Sequence, residues 1–361
     1  MFATAVRDEL PHGVTFNIVH CGNNDINQIV NGVVVDVDRR AAWAFTQVTY
    51  LLAELAQNKI TNDSVIYFED FWHPGAEQFA YACAIKGVRP KVYAYCWAQS
   101  ADPHDFTAKL MMPWIRHIER GWASWLTGVF VAAPELRDML VVADIVAKEK
   151  IHVVGLPYRR QTLVDNFYTG APGAYDQVRN KTVVFASRLD KEKNPDFFCT
   201  LAKRFLPDSN IKFVFASGRQ IDRAWKKSEN IQIRANLSKV QYLQLLSESA
   251  VLFNCADQDF VSFALLDGLA YGCQPLCPDY LTFPDVLNND QRYLYEHGSL
   301  DSAEKKLRAL LTPSFMCQKA GMLPPHVWEK FGAKYELTVA RMMQVMLQEP
   351  SLESYFKKRD N

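Results

Sequence analysis

The chain has 361 residues, of which 49% are hydrophobic, and its 40 lysines and arginines balance its 40 aspartates and glutamates. This length predicts two domains, or three, each with enough apolar residues for a core. The neutral balance excludes a global basic signature of nucleic-acid binding, although a local basic face stays open. Eight scattered cysteines without a CxxC pair, and no signal pattern or long apolar span, favour a soluble, cytoplasmic protein with reduced thiols.

Strand and helix patterns alternate through the N-terminal half. Apolar runs predict strands over 14–20, 33–38, 64–70, 91–97 and 151–157, with another at the start of GVFVAAPELRDML. Apolar residues at helical spacing predict helices over 39–57, 76–85 and 106–120, and a further helix with Pro134 in its first turn. This alternation implies a mostly parallel, doubly wound α/β sheet.

The polar segment 158–180 contains glycines and a proline and is a candidate linker between domains. A second α/β run follows it. Its predicted strands are 181–187, 211–217, 231–235, 250–255 and 274–279, its helices are 195–206 and 238–249, and further helices fill 301–357.

The stretch 254–275 holds a dense set of polar groups at a predicted strand end. A buried strand leads into a loop with two aspartates, and Ser262 then opens an apolar helix pattern. In an open α/β sheet, ligands bind beyond the carboxyl ends of the strands, and a helix N-terminus there favours phosphate. The stretch therefore predicts a phosphate-binding crevice.

Two cations and two carboxylates flank this predicted crevice. Arg188 and Lys193 follow a predicted strand in the pattern R-L-x-x-x-K, which suits a diphosphate. Asp259 and Asp267 lie eight positions apart, and carboxylates accept hydrogen bonds from the vicinal hydroxyls of a nucleotide sugar. The structural alternatives are a solvated charged turn and acids favoured near a helix N-terminus.

Together these residues resemble the C-terminal domain of retaining GT-B glycosyltransferases, the glycogen-synthase-like or group 1 family. The family pattern is roughly E-x-F-G-x-x-x-x-E-A-M-A-x-G-x-P. The segment from Asp259 through SFALLDGLAYGCQPL keeps the spacing of the two acids and of Gly272, the small residues and the proline, Pro275, which comes one position later. The departures are two aspartates in place of glutamates, Ser262 in place of glycine and Gly268 in place of alanine. The resemblance covers about residues 180–290 and is that of a divergent member.

The resemblance implies a GT-B fold, with two Rossmann-like, doubly wound parallel-sheet domains facing a central cleft. Residues 1–170 would form the acceptor-side domain and 171–335 the nucleotide-sugar-binding domain, while the helix in 336–361 can pack back on the first domain. The resemblance also implies an enzyme, a retaining hexosyl- or pentosyltransferase. Its donor would be a nucleotide-diphosphate sugar, and it would need no metal or other cofactor.

The resemblance also assigns roles to the residues of the crevice. Arg188 and Lys193 would hold the diphosphate and stabilise the leaving nucleotide, where negative charge develops. Ser262 and Phe263 would present backbone N–H groups to the same phosphates. Asp259 would bind the donor sugar, and the helical aspartate would bind the ribose.

The N-terminal domain would carry the acceptor, and family members often place a histidine after the fourth strand. In this chain the expected position holds Trp97 or Gln99, and His104 and Asp105 come slightly later. His73, in the loop FWHPG, is a second histidine candidate. We expect His104 to assist catalysis and the others to lie near the acceptor; the alternative for either histidine is an ordinary loop residue.

The segment WIRHIERGWASW combines aromatic and basic side chains, namely Trp114, Trp122, Trp125, Arg116, His117 and Arg120. It could dock an acceptor, a membrane face or nucleic acid. Packing of the tryptophans under a helix with charges on its opposite face is the favoured interpretation.

The acceptor is left open between two classes, a cell-surface glycan or lipid and a hydroxymethylated pyrimidine in phage DNA. Transfer to DNA would require an exposed or flipped base. No obligate protein partner is evident from the sequence.

Other function classes are also open. One is a non-catalytic nucleotide-sugar-binding protein of the same fold. Another is a metal-dependent GT-A-type transferase using Asp36 and Asp38 of VVVDVD. A dehydrogenase is disfavoured because no G-x-G-x-x-G follows a predicted strand.

Overall fold

The computed structural model describes residues 14–19, 37–158, 180–217, 228–312 and 327–347. The chain divides into two compact units. The first comprises Met1–Pro157 and Leu337–Asn361, and the second comprises Tyr158–Glu336. The boundary predicted at residue 170 lies outside the described residues.

The first unit is built on a four-stranded sheet in the order β1-β2-β3-β4, with all neighbours parallel. Its strands are β1 (Val65–Phe68), β2 (Lys91–Cys96), β3 (Gly128–Val131) and β4 (Ile151–Val153). The helices that the structure describes before and between them are α1 (Val37–Ala56), α2 (Ala76–Lys86), α3 (Phe106–Met111), α4 (Ile115–Trp125) and α5 (Pro134–Val142). Each strand that the structure describes is thus separated from the next by helical chain, as parallel pairing requires.

Several predictions for the first unit are wrong. A strand is predicted over 14–20, but the described residues 14–19 form no strand, because no described strand pairs with them. They are exposed or half-buried. The prediction of a strand through 33–38 fails at its end, where α1 begins at Val37; residues 33–36 lie outside the described part. The helical patterns predicted over 106–120 form two helices, which are separated at Pro113 because proline lacks the N–H that would continue the first.

The C-terminal helix α11 (Thr338–Leu347) belongs to the first unit. One apolar cluster joins its side chains to those of the sheet, namely Val339, Met342, Met343 and Met346 with Tyr93, Tyr95, Phe130 and Val154. The Tyr93 hydroxyl donates to the carbonyl of Val345 at 3.4 Å. The helix therefore completes the core on which β2 and β3 rest.

The second unit is built on a six-stranded parallel sheet in the order β10-β9-β8-β5-β6-β7. Its strands are β5 (Asn180–Phe185), β6 (Lys212–Ser217), β7 (Ile231–Ala235), β8 (Ser249–Phe253), β9 (Gln274–Pro278) and β10 (Leu294–Tyr295). Its described α-helices are α6 (Pro195–Lys203), α7 (Lys239–Glu248), α8 (Phe263–Ala270), α9 (Phe283–Val286) and α10 (Leu300–Leu310). The bounds of β5 to β9, α6 and α7 agree with the predicted ones to within a few residues, whereas β10 and α9 are not among the predicted elements.

Aromatic side chains fill the core between this sheet and α6. Phe198 of α6 lies with its ring 4.9 Å from that of Phe215 and 5.4 Å from that of Phe213, and Phe185 lies 5.2 Å from Phe215. All of them are fully buried. Because aromatic rings bury large areas, this cluster anchors α6 on the central strands.

The strand order creates a switch point between β5 and β8. The chain runs outward from β5 to β6 and β7, and then returns to place β8 on the other side of β5. The loops after β5 and β8 consequently leave the sheet side by side and lead to helices α6 and α8. In open parallel sheets such a point is where ligands bind.

Helix α8 packs very closely on β8, and Gly268 makes this possible. A Cβ atom at Gly268 would lie 2.6 Å from Cδ2 and 3.1 Å from Cβ of Leu252. Leu252 is itself buried, with 3% of its surface exposed. The glycine that replaces the family's alanine thus lets the helix approach the strand.

We expect Gly268→Ala to lower the free energy of unfolding by about 1–3 kcal/mol, because overpacking outweighs the better helix propensity of alanine. The matched control is Gly121→Ala in α4, where an added Cβ meets nothing within 4 Å. That change should be neutral or stabilising by up to about 1 kcal/mol. Urea unfolding of both variants measures the difference; equal midpoints for the two would contradict the close approach.

Candidate functional site

The loops that follow β5 and β8 are joined to each other at the switch point. The backbone N–H of Asp257 donates to the carbonyl of Glu192 at 2.8 Å. The thiol of Cys255 donates to the carbonyl of Asn194 at 3.2 Å. The two loops therefore form one surface at the carboxyl edge of the second unit's sheet.

Lys193 and Asp259 meet on this surface. Lys193 ends a short 3-10 turn before α6 and is only 7% exposed. Its Nζ donates to the carbonyl of Gln258 at 2.6 Å and lies 3.4 Å from Oδ2 of Asp259. A buried ammonium needs such partners, since an unpaired charge out of water costs several kcal/mol. The structure thus brings together two of the residues predicted for the donor.

Arg188 lies on the same loop as Lys193, but its side chain pairs with other acids than Asp259. Its side chain is 55% exposed, with Nη1 3.0 Å from Oδ2 of Asp190 and Nη2 3.6 Å from Oε1 of Glu192. Both acids belong to its own loop. The structure places Arg188 near the predicted site, and its role toward a diphosphate stays a prediction.

Helix α8 begins at this edge, where its first N–H groups have no acceptor within the helix. Ser262 is its N-cap, and the Ser262 side chain accepts a hydrogen bond from the N–H of Leu265 at 3.4 Å. Val261, just before the cap, has a φ of 116°. That conformation is strained for a β-branched residue, and such strain is concentrated at ligand sites. Phe263 is exposed at the first helical position.

Asp267 lies farther along α8 and has different partners. Its Oδ1 accepts from the hydroxyl of Tyr158 at 2.9 Å, and its Oδ2 accepts from Nζ of Lys239 at 2.8 Å. Burial, followed by the nearby carboxylate, raises the pKa of Tyr158 well above its usual value, so the phenol stays a donor. Sequence reasoning missed Lys239 and Tyr158, because neither belongs to a recognisable motif.

In the first unit, the carboxyl end of β1 carries a half-buried acid, Asp70, that belongs to no recognisable motif. Asp70 forms an ion pair with Arg40, accepts from the N–H of Trp72 at 2.9 Å and accepts from Nε2 of Gln99 at 3.2 Å. Burial raises the pKa of this carboxyl despite the nearby guanidinium. Its position after the strand in VIYFED was the available signal.

The turn after β2 holds a buried polar group. Gln99 has a φ of 58°, and its Oε1 accepts from the N–H of Ala98 at 3.0 Å. The next residue, Ser100, donates through its N–H at 3.1 Å and through its hydroxyl to the carboxylate of Glu119. Burial raises the pKa of Glu119. These buried hydrogen bonds hold the loop after β2 in place.

The other acceptor-side candidates have separate positions in the first unit. Trp97 donates from Nε1 to the carbonyl of Glu69 at 3.1 Å. Asp105 caps α3 by accepting from the N–H of Thr107 at 2.8 Å. His104 is exposed, and its backbone N–H donates to Oδ1 of Asp102 at 2.9 Å.

His73 is buried. One ring nitrogen, Nε2, lies 2.8 Å from Oε1 of Gln47, and the ring packs 4.6 Å from that of Phe68. Among the described residues, Nδ1 has no hydrogen-bond partner. Burial lowers the pKa of His73 to about 4, so the ring is neutral at pH 7.

Two tryptophans of WIRHIERGWASW pack against other aromatic rings, and the third is exposed. Trp122 is buried with its ring 5.4 Å from that of Trp72, and Trp125 packs 6.0 Å from Phe79. Trp114 is 54% exposed. Packing therefore accounts for two of the three. A cavity of about 450 Å³ lies beside α3 and α4. It is lined by Ser100, Ala101, Pro103, Ala108, Met112 and Arg116.

Several sequence features concern metals, membranes and thiols. Asp36 lies outside the described residues, and Asp38 lies in α1. Across the described ranges, no three His, Cys, Asp or Glu side chains are grouped to hold a metal ion. A helix of sufficient length and apolarity to cross a membrane does not occur in the part of the chain described. The six described cysteines are free and buried, as predicted from their apolar surroundings.

We expect His73 to make the protein less stable at acidic pH. Its folded pKa of about 4 lies below the ordinary value of 6.5, so the unfolded chain binds a proton first as the pH falls. Stability present above pH 6.5 is then lost towards pH 4, by at most about 3 kcal/mol.

Urea unfolding of the wild type and His73→Gln between pH 7 and pH 4.5 measures this loss, with exposed His104→Gln as the control. Asp70 is present in all three proteins, so its own titration largely cancels in the difference. Identical pH slopes for the wild type and His73→Gln would show that the ring is not held neutral by burial.

Known proteins similar to this chain are distant. No protein-family model matches it. The tRNA-queuosine alpha-mannosyltransferase of Drosophila melanogaster is 24% identical over 123 residues, which are 31% of this chain and 32% of that relative. The match thus spans about a third of the relative's length.

Solved structures are similar over most of the chain. A point mutant of S. aureus TarM, in complex with Fondaparinux, alpha-GlcNAc-glycerol and UDP, has a TM-score of 0.61 at 16% identity and covers 83% of this chain. This chain covers 58% of TarM, less than two thirds of its length. Anabaena HepE in complex with UDP-glucose has a TM-score of 0.57 at 10% identity, covering 83% of this chain and 82% of HepE.

At these identities the likeness concerns the fold. One α/β unit on a four-stranded parallel sheet is followed by another on a six-stranded parallel sheet, as the sequence predicts for two doubly wound domains. The chain has the GT-B glycosyltransferase fold.

Proposed function

We propose that this chain is a glycosyltransferase that moves a sugar from a nucleotide-diphosphate sugar to an acceptor hydroxyl. The observation that carries the proposal is Lys193, buried beside Asp259 at the switch point of the second unit. An ammonium next to the N-terminus of α8 is chemistry suited to a diphosphate. The donor class is supported by TarM, whose structure contains UDP, and by HepE, whose structure contains UDP-glucose.

Lys193 then has the main catalytic task. When the bond from the sugar to the diphosphate breaks, negative charge develops on the departing phosphate oxygens. A cation already held in place by Gln258 and Asp259 stabilises that charge without having to be reoriented. Asp259 fixes this ammonium, and its remaining acceptor capacity suits a hydroxyl of the donor sugar.

Arg188 reaches the diphosphate only by leaving Asp190 and Glu192. The energy needed is small, because an exposed ion pair contributes about 0–1 kcal/mol. A charge-assisted bond to phosphate contributes about 1.5–3 kcal/mol, so exchange of partners is favourable. With Lys193 and the helix N-terminus, this supplies positive charge from the protein itself, and we propose a transfer that needs no metal.

The finer features of the reaction follow from the motif resemblance. We propose retention of the anomeric configuration, with attack on the face from which the diphosphate leaves. We also expect the protein to act in the cytoplasm, which the free, buried cysteines support. The two separate parallel sheets do not fit the metal-dependent GT-A alternative.

Two acceptor classes are each supported by a similar protein. The Drosophila relative acts, by its name, on a queuosine of tRNA, which favours a modified base in nucleic acid such as a hydroxymethylated pyrimidine. TarM was solved with alpha-GlcNAc-glycerol, which favours a glycan or lipid acceptor. The acceptor-side candidates His73, Trp97, Gln99 and Asp105 are proposed for either class, and His104 is proposed to assist catalysis.

We expect Lys193→Ala and Arg188→Ala each to weaken UDP or GDP binding by about 1.5–3 kcal/mol, because each removes a charge-assisted bond to phosphate. Lys191→Ala is the matched control, since Lys191 is exposed in the same turn as Lys193. Calorimetric titration with each nucleotide measures the affinities. Unchanged affinity in both variants would remove the phosphate assignment.

We expect the wild type to hydrolyse at least one uridine, guanosine or cytidine diphosphate sugar slowly when no acceptor is present. Donor binding without any hydrolysis or transfer would instead favour the non-catalytic binding protein. Absence of both across the panel would contradict the enzyme proposal.

The salt dependence of acceptor binding distinguishes a nucleic-acid acceptor from a glycan acceptor. We expect a nucleic-acid acceptor to give binding that weakens steeply with added salt, because phosphate contacts release counterions. Duplex DNA containing hydroxymethylcytosine and a neutral glycan are compared between 50 and 200 mM salt, the range in which that effect is large. Salt-independent binding of the glycan alone would exclude the nucleic-acid branch.

A further inference from the structure

Asp267 is poorly placed to meet a ligand itself. Its side chain is 8% exposed, whereas the side chain of its partner Lys239 is 54% exposed. Tyr158, which donates to the other carboxylate oxygen, is also buried. A molecule that approaches from solvent therefore meets the ammonium of Lys239 before it meets the carboxylate.

Lys239 is held in this position by local structure. It is the first residue of α7, where Ser238 and Gln241 form a capping box that fixes the helix start. Its Nζ lies 2.8 Å from Oδ2 of Asp267 and 5.0 Å from the ring centroid of Tyr242. A carboxylate and an aromatic face thus hold the ammonium from two sides.

A lysine at this position works against the helix itself. The N-terminus of a helix carries partial positive charge, so a cation in the first turn is unfavourable by about 0.3–1 kcal/mol. The capping box already supplies hydrogen-bond acceptors to the backbone N–H groups at the helix start. The ion pair with Asp267 offsets this cost without explaining why a cation is present.

The place of Asp267 along α8 sets its distance from the N-terminus of that helix. Asp267 follows the N-cap of α8 by five residues, which is about 7.5 Å along the helix axis. Asp259 and Lys193 lie on the loop side of the same N-terminus. With a diphosphate at the helix start and the donor sugar on the Asp259 side, the ribose lies on the side of Asp267 and Lys239.

We propose that Lys239, positioned by Asp267, is the residue that contacts the ribose of the donor, by donating hydrogen bonds to its hydroxyl oxygens. This inference rests on the proposed function and deepens its donor site. An ammonium has three N–H donors, and the bond to Asp267 uses one of them. It also accounts for the aspartate in place of glutamate, because the shorter acid holds a lysine and does not have to reach a diol.

The competing arrangement makes the opposite prediction. If Asp267 bound the ribose directly, Lys239 would compete with the sugar for the carboxylate. Removing the lysine would then strengthen binding of a ribonucleotide. If Lys239 makes the contact, removing it weakens ribonucleotide binding and leaves a deoxyribonucleotide almost unaffected.

The test measures binding of UDP and GDP and of their 2′-deoxy and 3′-deoxy analogues by calorimetry. We expect the wild type to bind at least one ribonucleotide about tenfold more tightly than its deoxy analogue, the loss of one charge-assisted bond. In Lys239→Met this ratio should fall to about one. Lys203→Met, an exposed lysine of α6, should keep the wild-type ratio.

A further variant guards against misfolding. Lys239→Met leaves the Asp267 carboxylate buried without its cation, which can destabilise the fold. The double variant Lys239→Met/Asp267→Asn removes both charges and leaves an amide oxygen to accept from Tyr158. It should fold and give the same ratio of about one.

Failure of this inference and failure of the proposed function give different results. If the wild type binds no nucleotide, the proposed function fails and the assignment of Lys239 falls with it. If nucleotides bind and Lys193→Ala weakens the ribose and deoxyribose forms equally, the donor site is supported. In that case an unchanged or increased ratio in Lys239→Met, or in the double variant, overturns the assignment of Lys239 alone.

Discussion

The burial of Lys193 depends on the pairing of β8 with β5. The lysine follows β5, while its partners Gln258 and Asp259 follow β8, so only this strand order places a carbonyl and a carboxylate around the ammonium. A charge removed from water without such partners would cost several kcal/mol. The same order brings to the lysine the loop that leads, three residues after Asp259, to the N-cap of α8. One topological constraint thus supplies the cation, its counterion and the helix terminus of the candidate site.

The two aspartates of the motif serve different cations. Asp259 pairs with the buried Lys193 on the loop side of α8, and Asp267 pairs with the exposed Lys239 on the helix side. Both acids are one methylene shorter than the glutamates of the family pattern. A short carboxylate can pair with a lysine, because the long lysine side chain spans the distance, but it reaches less far towards a ligand. Recognition in this chain is therefore expected to depend on the lysines that the acids hold.

The first unit carries its polar groups differently. Asp70, Gln99 and Glu119 are linked by hydrogen bonds to backbone and side chains around the ends of β1 and β2. His73 is enclosed with a neutral ring, whereas His104 is exposed. The half-buried Asp70 and the buried Gln99 and Glu119 thus hold the loops of this unit in place.

The sequence by itself determined the alternation of strands and helices, the crevice stretch 254–275 and the proximity of Lys193 to it. These follow from local signals, namely apolar periodicity, N-caps and motif spacing, each carried by contiguous residues. Only the tertiary structure decided that α11 completes the core of the first unit, that Lys239 pairs with Asp267, and that Arg188 pairs within its own loop. Periodicity reports that a face is buried but not which distant segment buries it. A charged residue in a sequence likewise does not reveal its partner, because that partner is chosen by strand order and by the competition among nearby charges.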